Sequence, residues 1–193
     1  RGGACYQADS HSYEATFHGN KAGGGMSGAT AFYCLMTDRI SREARSRNMA
    51  AIRGKDTKPE RVVRRLLHRR GYRFRLHDSR LPGKPDIVLP KWHAVIFVHG
   101  CFWHGHGCHL FRVPASNTGF WVTKICGNIE RDRIVLRKLQ ENGWRIAVVW
   151  ECVLKGKTRT DPEDLAQRLS DWIQSDEAVI TIGGDTDEKR LFV

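Results

Sequence analysis

Between residues 101 and 152 the chain gathers three cysteines and a histidine at a spacing that suits a metal ion: Cys101-x4-His106-x-Cys108, then Cys152 after an apolar run. Three thiolates and one imidazole are soft and borderline donors, and a tetrahedron of them suits Zn²⁺. Four protein ligands close the coordination shell, so the chemistry expected is structural. Such an ion would pin a long irregular loop against the sheet, whose ordering is otherwise costly. His109 and Cys126 are spare donors, which leaves the identity of the fourth ligand open. A set of buried cysteines packing as small hydrophobes is the bland alternative. A Cys and a His two residues apart in a Gly-rich loop argue against it.

A second group offers oxygen and imidazole. Pro85-Asp86 opens one strand-like run and the next run leads into His99. Several nucleases hold a divalent ion with an acid at the start of one strand and a polar residue ending its neighbour. Hard Mg²⁺ wants oxygen ligands and keeps some waters, so Asp86, a main-chain carbonyl and phosphate oxygens would suffice. Asp132 falls on the same helical face as Ile129, Val135, Leu136 and Leu139, because successive residues rotate by about 100°. A carboxylate inside an apolar stripe must find a partner, and a histidine is the natural one. His104, in the loop beside it, is a general base that Asp132 would hold in the correct tautomer. Glu60 is either a further candidate for the metal's water shell or a plain first-turn carboxylate.

These residues need elements to position them. Pro59-Glu60 reads as a helix start, with Val62, Val63, Leu66 and Leu67 on one face and Gly71 as the stop. Strands are expected over 72–77, 86–89 and 94–98, with Leu81-Pro82-Gly83-Lys84-Pro85 turning between the first two. Residues 99–121 read as loop, 128–141 as helix, 144–150 as a buried strand and 162–173 as an amphipathic closing helix. That order predicts an α/β fold with a mixed central sheet flanked by helices and a structural zinc site. Residues 1–35 are Gly-rich and lack periodicity, so a flexible tail is expected. It is either a native arm or non-native, upstream-read sequence, with Met36 as the natural start. The domain is expected over 36–175, followed by a C-terminal extension over 176–193.

Composition narrows the function. At 193 residues and 40% hydrophobic, the chain can bury a core, which excludes wholesale disorder. No apolar run approaches the roughly 20 residues of a membrane span, so a soluble protein is expected. The net charge of +11 is concentrated: residues 39–80 carry 15 Lys/Arg against four acids, and the remainder is near neutral. A basic block in a structured region is the electrostatic footprint of nucleic-acid binding. The cysteine pattern does not read as a disulfide framework, and no signal peptide is visible, which points to a reducing compartment.

The strings Leu81-Pro82-Gly83-Lys84-Pro85-Asp86 and Val95-Ile96-Phe97-Val98-His99-Gly100-Cys101-Phe102-Trp103-His104 resemble the very short patch repair (Vsr) DNA mismatch endonucleases. Arg45-Ser46-Arg47-Asn48-Met49, Pro59-Glu60, Phe120-Trp121, Asn128-Ile129-Glu130-Arg131-Asp132, Gly143-Trp144-Arg145 and Val149-Trp150-Glu151-Cys152 extend the likeness over about residues 36–175. The resemblance implies a restriction-endonuclease-like fold. It implies a Mg²⁺-dependent enzyme that nicks the thymine strand at T·G mismatches left by 5-methylcytosine deamination. It places the metal carboxylate at Asp86, a second metal ligand at the Val98 carbonyl and the catalytic histidine at His104, supported by Asp132. Glu60 and His99 become auxiliary groups, and Cys101, His106, Cys108 and Cys152 the zinc ligands. Phe102, Trp103 and Trp121 would form an aromatic wedge beside the mismatch, Met49 would enter from the minor groove, and Lys124 and Asn128 would contact the mismatch. A monomer in the bacterial cytoplasm, associated with the nucleoid, is implied, with a functional link to a cytosine-5 DNA methyltransferase and downstream repair proteins. There are departures: Gly105 and Gly107 stand where some relatives carry histidines, and Val98 where a threonine is familiar.

Overall fold

The computed structural model of the protein describes residues 41–50 and 54–183. The chain divides into two compact units, residues 1–46 and 47–193. The tail expected over residues 1–35 lies outside the described residues. In the first unit the described part is the opening of helix α1 (Arg42–Ala50), where Ser41 Oγ caps the helix by accepting from Ala44 N at 3.1 Å.

In the second unit the chain runs α2 (Lys58–Arg69), β1 (Ile87–Leu89), β2 (Ala94–His99), α3 (Thr118–Glu141), β3 (Arg145–Trp150), α4 (Pro162–Gln174) and β4 (Val179–Ile182). The sheet order is β1-β2-β3-β4. β1 pairs antiparallel to β2, while β2–β3 and β3–β4 are parallel. This is the mixed α/β architecture read from the sequence. All six β2 residues and the last five of β3 are buried, so both faces of the central strands are covered, as parallel pairing requires.

Local chemistry explains the helices. Thr57 and Glu60 form a reciprocal capping box, and Pro59 lies in the first turn, where its missing N–H costs nothing. Val63, Leu66 and Leu67 then bury one face of α2. α4 starts on Asp161, which accepts from Glu163 N at 2.8 Å, and buries Leu165, Leu169, Trp172 and Ile173. Tyr72 Oη, 2.7 Å from Ser170 Oγ, ties the end of α2 to α4.

Three elements differ from expectation. Residues 72–77 do not form a strand; only Arg75 bridges Val88, through bonds of 2.8 and 2.9 Å. The run cannot continue because His77 takes a left-handed φ of 48° and turns the chain away. α3 begins at Thr118, not near 128, so Trp121 and Lys124 ride on the same helix as Asp132. Finally, β4 adds a parallel strand beside β3, so the boundary expected at residue 175 falls between two packed elements of the same unit. Among the described residues no helix is long and apolar enough to cross a membrane.

Candidate active site and metal centre

Strand direction brings the chemistry to one edge. β2 and β3 run parallel with His99 opposite Trp150, so the segments leaving them place Cys101 and Cys152 side by side. β1 runs the other way, which puts Asp86, just before it, at the same end. Carboxyl ends of parallel strands are where open α/β sheets build their sites.

Asp86 sits where the β1–β2 ladder stops. Val98 N donates to Asp86 Oδ2 at 2.7 Å. Extending the register from Ile87↔Ile96 by two residues sets Pro85 opposite Val98. Proline has no N–H to give, so the ladder cannot close there and the Val98 carbonyl finds no donor at that position. In a strand the N–H and C=O of one residue point to the same side, so this carbonyl faces the Asp86 edge. The pair of hard oxygens fits Mg²⁺, as the sequence suggested. Burial, above all, pushes the Asp86 carboxyl up to about 6; the Glu60 carboxylate adds to the push, while the Val98 N–H, His77 and Arg64 oppose it.

His104 Nδ1 donates to Asp132 Oδ2 at 2.5 Å. The proton is thereby held on Nδ1, and Nε2 is left as the acceptor. His99 stacks flat on His104, with centroids 3.9 Å apart and planes at 4°. Burial, then the neighbouring His104, holds His99 well below the usual histidine range, and its Nδ1 is buried without a partner. His99 is therefore a neutral plate that fixes the plane of His104.

A cleft of about 1130 Å³ contains Asp86, Val98, His99, His104 and Asp132 together with Glu60, Lys124 and Asn128. Glu60 is 3% exposed and both its oxygens are engaged. Oε1 accepts from Thr57 N and Oγ1 at 3.2 and 2.8 Å, and Oε2 from Asp56 N and Arg64 Nη2 at 3.0 and 2.6 Å. It reaches the metal edge through these partners rather than by an open oxygen. Glu60 thus holds the first-turn capping position and also lines the cleft. Asn128 is buried too: it donates to the Trp103 carbonyl at 2.8 Å and accepts from Arg131 at 3.0 Å. The residue expected to touch the mismatch thus ties α3 to the loop and presents Arg131 to the cleft. Lys124 is exposed.

Sequence reading passed over His77, Arg64 and Asp56. His77 Nδ1 lies 3.7 Å from Asp86 Oδ1, and its Nε2 lies 3.5 Å from Glu60 and 3.8 Å from Asp56. The Glu60–Arg64 pair at i, i+4 was a readable signal; nothing in the sequence marked His77.

The aromatic residues converge. Phe102 lies 5.0 Å from Trp103 and 5.4 Å from Trp121, and the two tryptophans are 6.1 Å apart, all edge to face. All three are half-buried, and Phe120 beside them is 63% exposed. Met49 is exposed on α1.

Ligand atoms of Cys101, His106, Cys108 and Cys152 lie within 4.8 Å of one another. His106 Nδ1 is 3.6 Å from Cys152 Sγ, and its ring stacks on Trp150 at 4.2 Å. Leu110 N donates to Cys108 Sγ at 3.4 Å. The Cys152 sulfur beside it, then burial, push the Cys101 thiol far above the usual range. A bound cation is what makes such a crowd of sulfurs stable as thiolates, so the donor set fits a metal ion. Of the candidate fourth donors, His106 is the one whose ring nitrogen lies with the three sulfurs. His109 Nε2 instead accepts from Lys157 N at 3.2 Å, and Cys126 lies on α3 outside the cluster. Gly105, between His104 and His106, has φ +65°, and a Cβ there would stand 2.7 Å from Ile129 Cδ1. A side chain at Gly105 would therefore need a strained backbone and a shift of Ile129.

A family model described as DNA mismatch endonuclease Vsr matches residues 37–110. The chain is 49% identical over 138 residues to the DNA mismatch endonuclease Vsr of Escherichia coli, covering 72% of this chain and 88% of that one. It is 54% identical over 119 residues to the type II nicking enzyme V.XorIIP of Xanthomonas oryzae pv. oryzae, 62% of this chain and 88% of the relative. Over 122 residues it is 49% identical to the type II nicking enzyme V.NmeAIP of Neisseria meningitidis, 63% of this chain and 87% of the relative. At that identity and coverage, the chain belongs to the Vsr family of DNA mismatch endonucleases.

Proposed function

We propose that the protein nicks the thymine strand of duplex DNA at T·G mismatches in a Mg²⁺-dependent reaction. The observation that carries the reading is the convergence of Asp86, the Val98 edge and the His104–Asp132 pair in one cleft. A binding module has no need of such a set. Asp86 and the Val98 carbonyl would hold Mg²⁺, which when bound polarises the scissile phosphate and screens its charge. His104 Nε2 accepts the proton of the attacking water, while Asp132 keeps the ring's other proton on Nδ1 and stabilises the imidazolium that results. His99 holds the ring plane. The Phe102–Trp103–Trp121 cluster would enter the duplex where a mispair has already weakened stacking, so the deformation helps select the target. Met49, Lys124 and Asn128 complete the proposed contact set, Asn128 by positioning Trp103 and Arg131.

The cysteine–histidine site would carry structural Zn²⁺ and hold the loop that bears His104. The fold is restriction-endonuclease-like, the working form a monomer, and the setting a bacterial cytoplasm in which a cytosine-5 methyltransferase creates the substrate's precursor and other repair proteins act on the nick.

The test is strand nicking with Mg²⁺ on paired duplexes that differ only in T·G against T·A, in several sequences read by cytosine-5 methyltransferases. A nick confined to the thymine strand of T·G duplexes is the expected result. Cutting of fully paired duplexes would replace this reading with a sequence-specific nuclease, and binding without any cut would leave only a DNA-binding module.

A further inference from the structure

We propose that the guanidinium of Arg64 is the resident cation of a second cation position beside Asp86, holding Asp56, Glu60 and His77 where a second divalent ion would otherwise sit. Ligand atoms of those three residues lie within 4.8 Å of one another, the spacing of a metal-binding triad. The Arg64 head group touches all three: Asp56 Oδ1 at 2.5 Å, Glu60 Oε2 at 2.6 Å and His77 Nε2 at 2.8 Å. A planar fork with fixed donors can bridge such a set, as a single ammonium cannot. Arg64's side chain is 12% exposed, and its Nε is buried without a partner. The head-group contacts therefore decide where it lies.

The contact with His77 has a direct consequence at the metal edge. Because Arg64 donates to Nε2, a neutral His77 carries its proton on Nδ1, and Nδ1 faces Asp86 Oδ1 at 3.7 Å. Arg64 thus acts on Asp86 through His77 and is a positioning residue. The backbone is committed to the same arrangement: Asp56, His77 and the neighbouring Lys84 have φ of 56°, 48° and 51°, and all three line the cleft. Strained residues of this kind persist where their surroundings over-determine them.

The inference rests on Asp86 as the metal carboxylate, and the test separates the two. Mn²⁺ is titrated into the full-length protein and free Mn²⁺ is followed by electron paramagnetic resonance, with a thermal melt to report folding. Asp86→Asn should remove an ion from the unaltered chain; if it does not, the metal-carboxylate reading fails on its own. Arg64→Leu should bind one more Mn²⁺ per chain than the unaltered protein, and adding Asp56→Asn to it should remove the gained ion. A folded Arg64→Leu protein with no extra ion, or an extra ion that survives Asp56→Asn, overturns the proposal. If Arg64→Leu does not fold, Arg64→Gln, which keeps a donor for Glu60 without the charge, is read the same way. Failure of both to fold even in saturating Mn²⁺ would show that a divalent ion cannot replace the guanidinium, which also overturns it.

Discussion

Asp132 and Asp86 are both carboxylates in one cleft, and their partners give them different tasks. Asp132 bonds His104 Nδ1 at 2.5 Å; an amide in its place would offer an N–H to the ring and favour the tautomer with Nε2 protonated. Asp132→Asn should therefore lower the single-turnover nicking rate by roughly 10²–10⁴, the usual worth of a positioned base, while duplex affinity stays near that of the parent. A parent-like rate in this variant would remove His104 from its role. Asp86 has its carboxyl pushed up to about 6 by burial. A carboxyl whose folded value lies above its unfolded one binds more protons when folded. Its stabilising contribution is complete below about pH 4 and is lost as pH rises through about 6, at most about 3 kcal/mol. Melts without divalent ion should show stability falling between those pH values, and Asp86→Asn should flatten that slope. Added Mg²⁺ should stabilise the protein more at pH 7.5 than at pH 5, where it competes with the proton. A slope unchanged in Asp86→Asn would assign it to another group.

At the level of elements, the loop after β2 carries His104 and three of the sulfur and imidazole donors, and β3 delivers Cys152 to close the set. Trp150 connects the two sites, with His106 stacked on one side at 4.2 Å and His99 edge-on at 5.4 Å. Losing the ion should thus loosen the loop and misplace the base. Elemental analysis of the parent should find one zinc per chain; Cys108→Ala should lose it, melt several degrees lower, since about 1 kcal/mol is worth roughly 2–4 °C at this size, and nick more slowly. A parent protein without zinc would remove the premise. Much of this was legible beforehand: the donor spacing, the Asp132 stripe, the capping position of Glu60 and the three main sheet strands all follow from local pattern. The start of α3 was not, because residues 118–127 include Gly119 and Gly127 and no clear apolar face. β4 escaped because a four-residue strand at the sheet edge carries little pattern of its own. His77 and Arg64 were invisible for a different reason: their meaning lies in long-range geometry, 9 residues and 22 residues from Asp86 in sequence.

Over the whole molecule the dominant feature is charge. Residues 39–80 carry 15 Lys/Arg against four acids, yet some of those cations are already committed. Arg64 is held by Asp56 and Glu60, Arg70 by Glu163 and Gln167, and Arg80 by Asp78. On the proposed function, the remainder would supply phosphate contacts that fix the protein on the duplex without reading sequence. If on the order of six phosphates are neutralised, log affinity should fall against log salt with a slope of about −5, losing about 10³ between 50 and 200 mM. The proposed preference for T·G over T·A would have another origin, the aromatic cluster at Phe102, Trp103 and Trp121 acting on a weakened base step, and unstacking costs do not release counterions. Fluorescence anisotropy on matched duplexes across that salt range should therefore show affinity collapsing for both while their ratio holds within about a factor of two. A ratio that shrinks in parallel with affinity would mean that the basic block, not the aromatic cluster, discriminates the mispair.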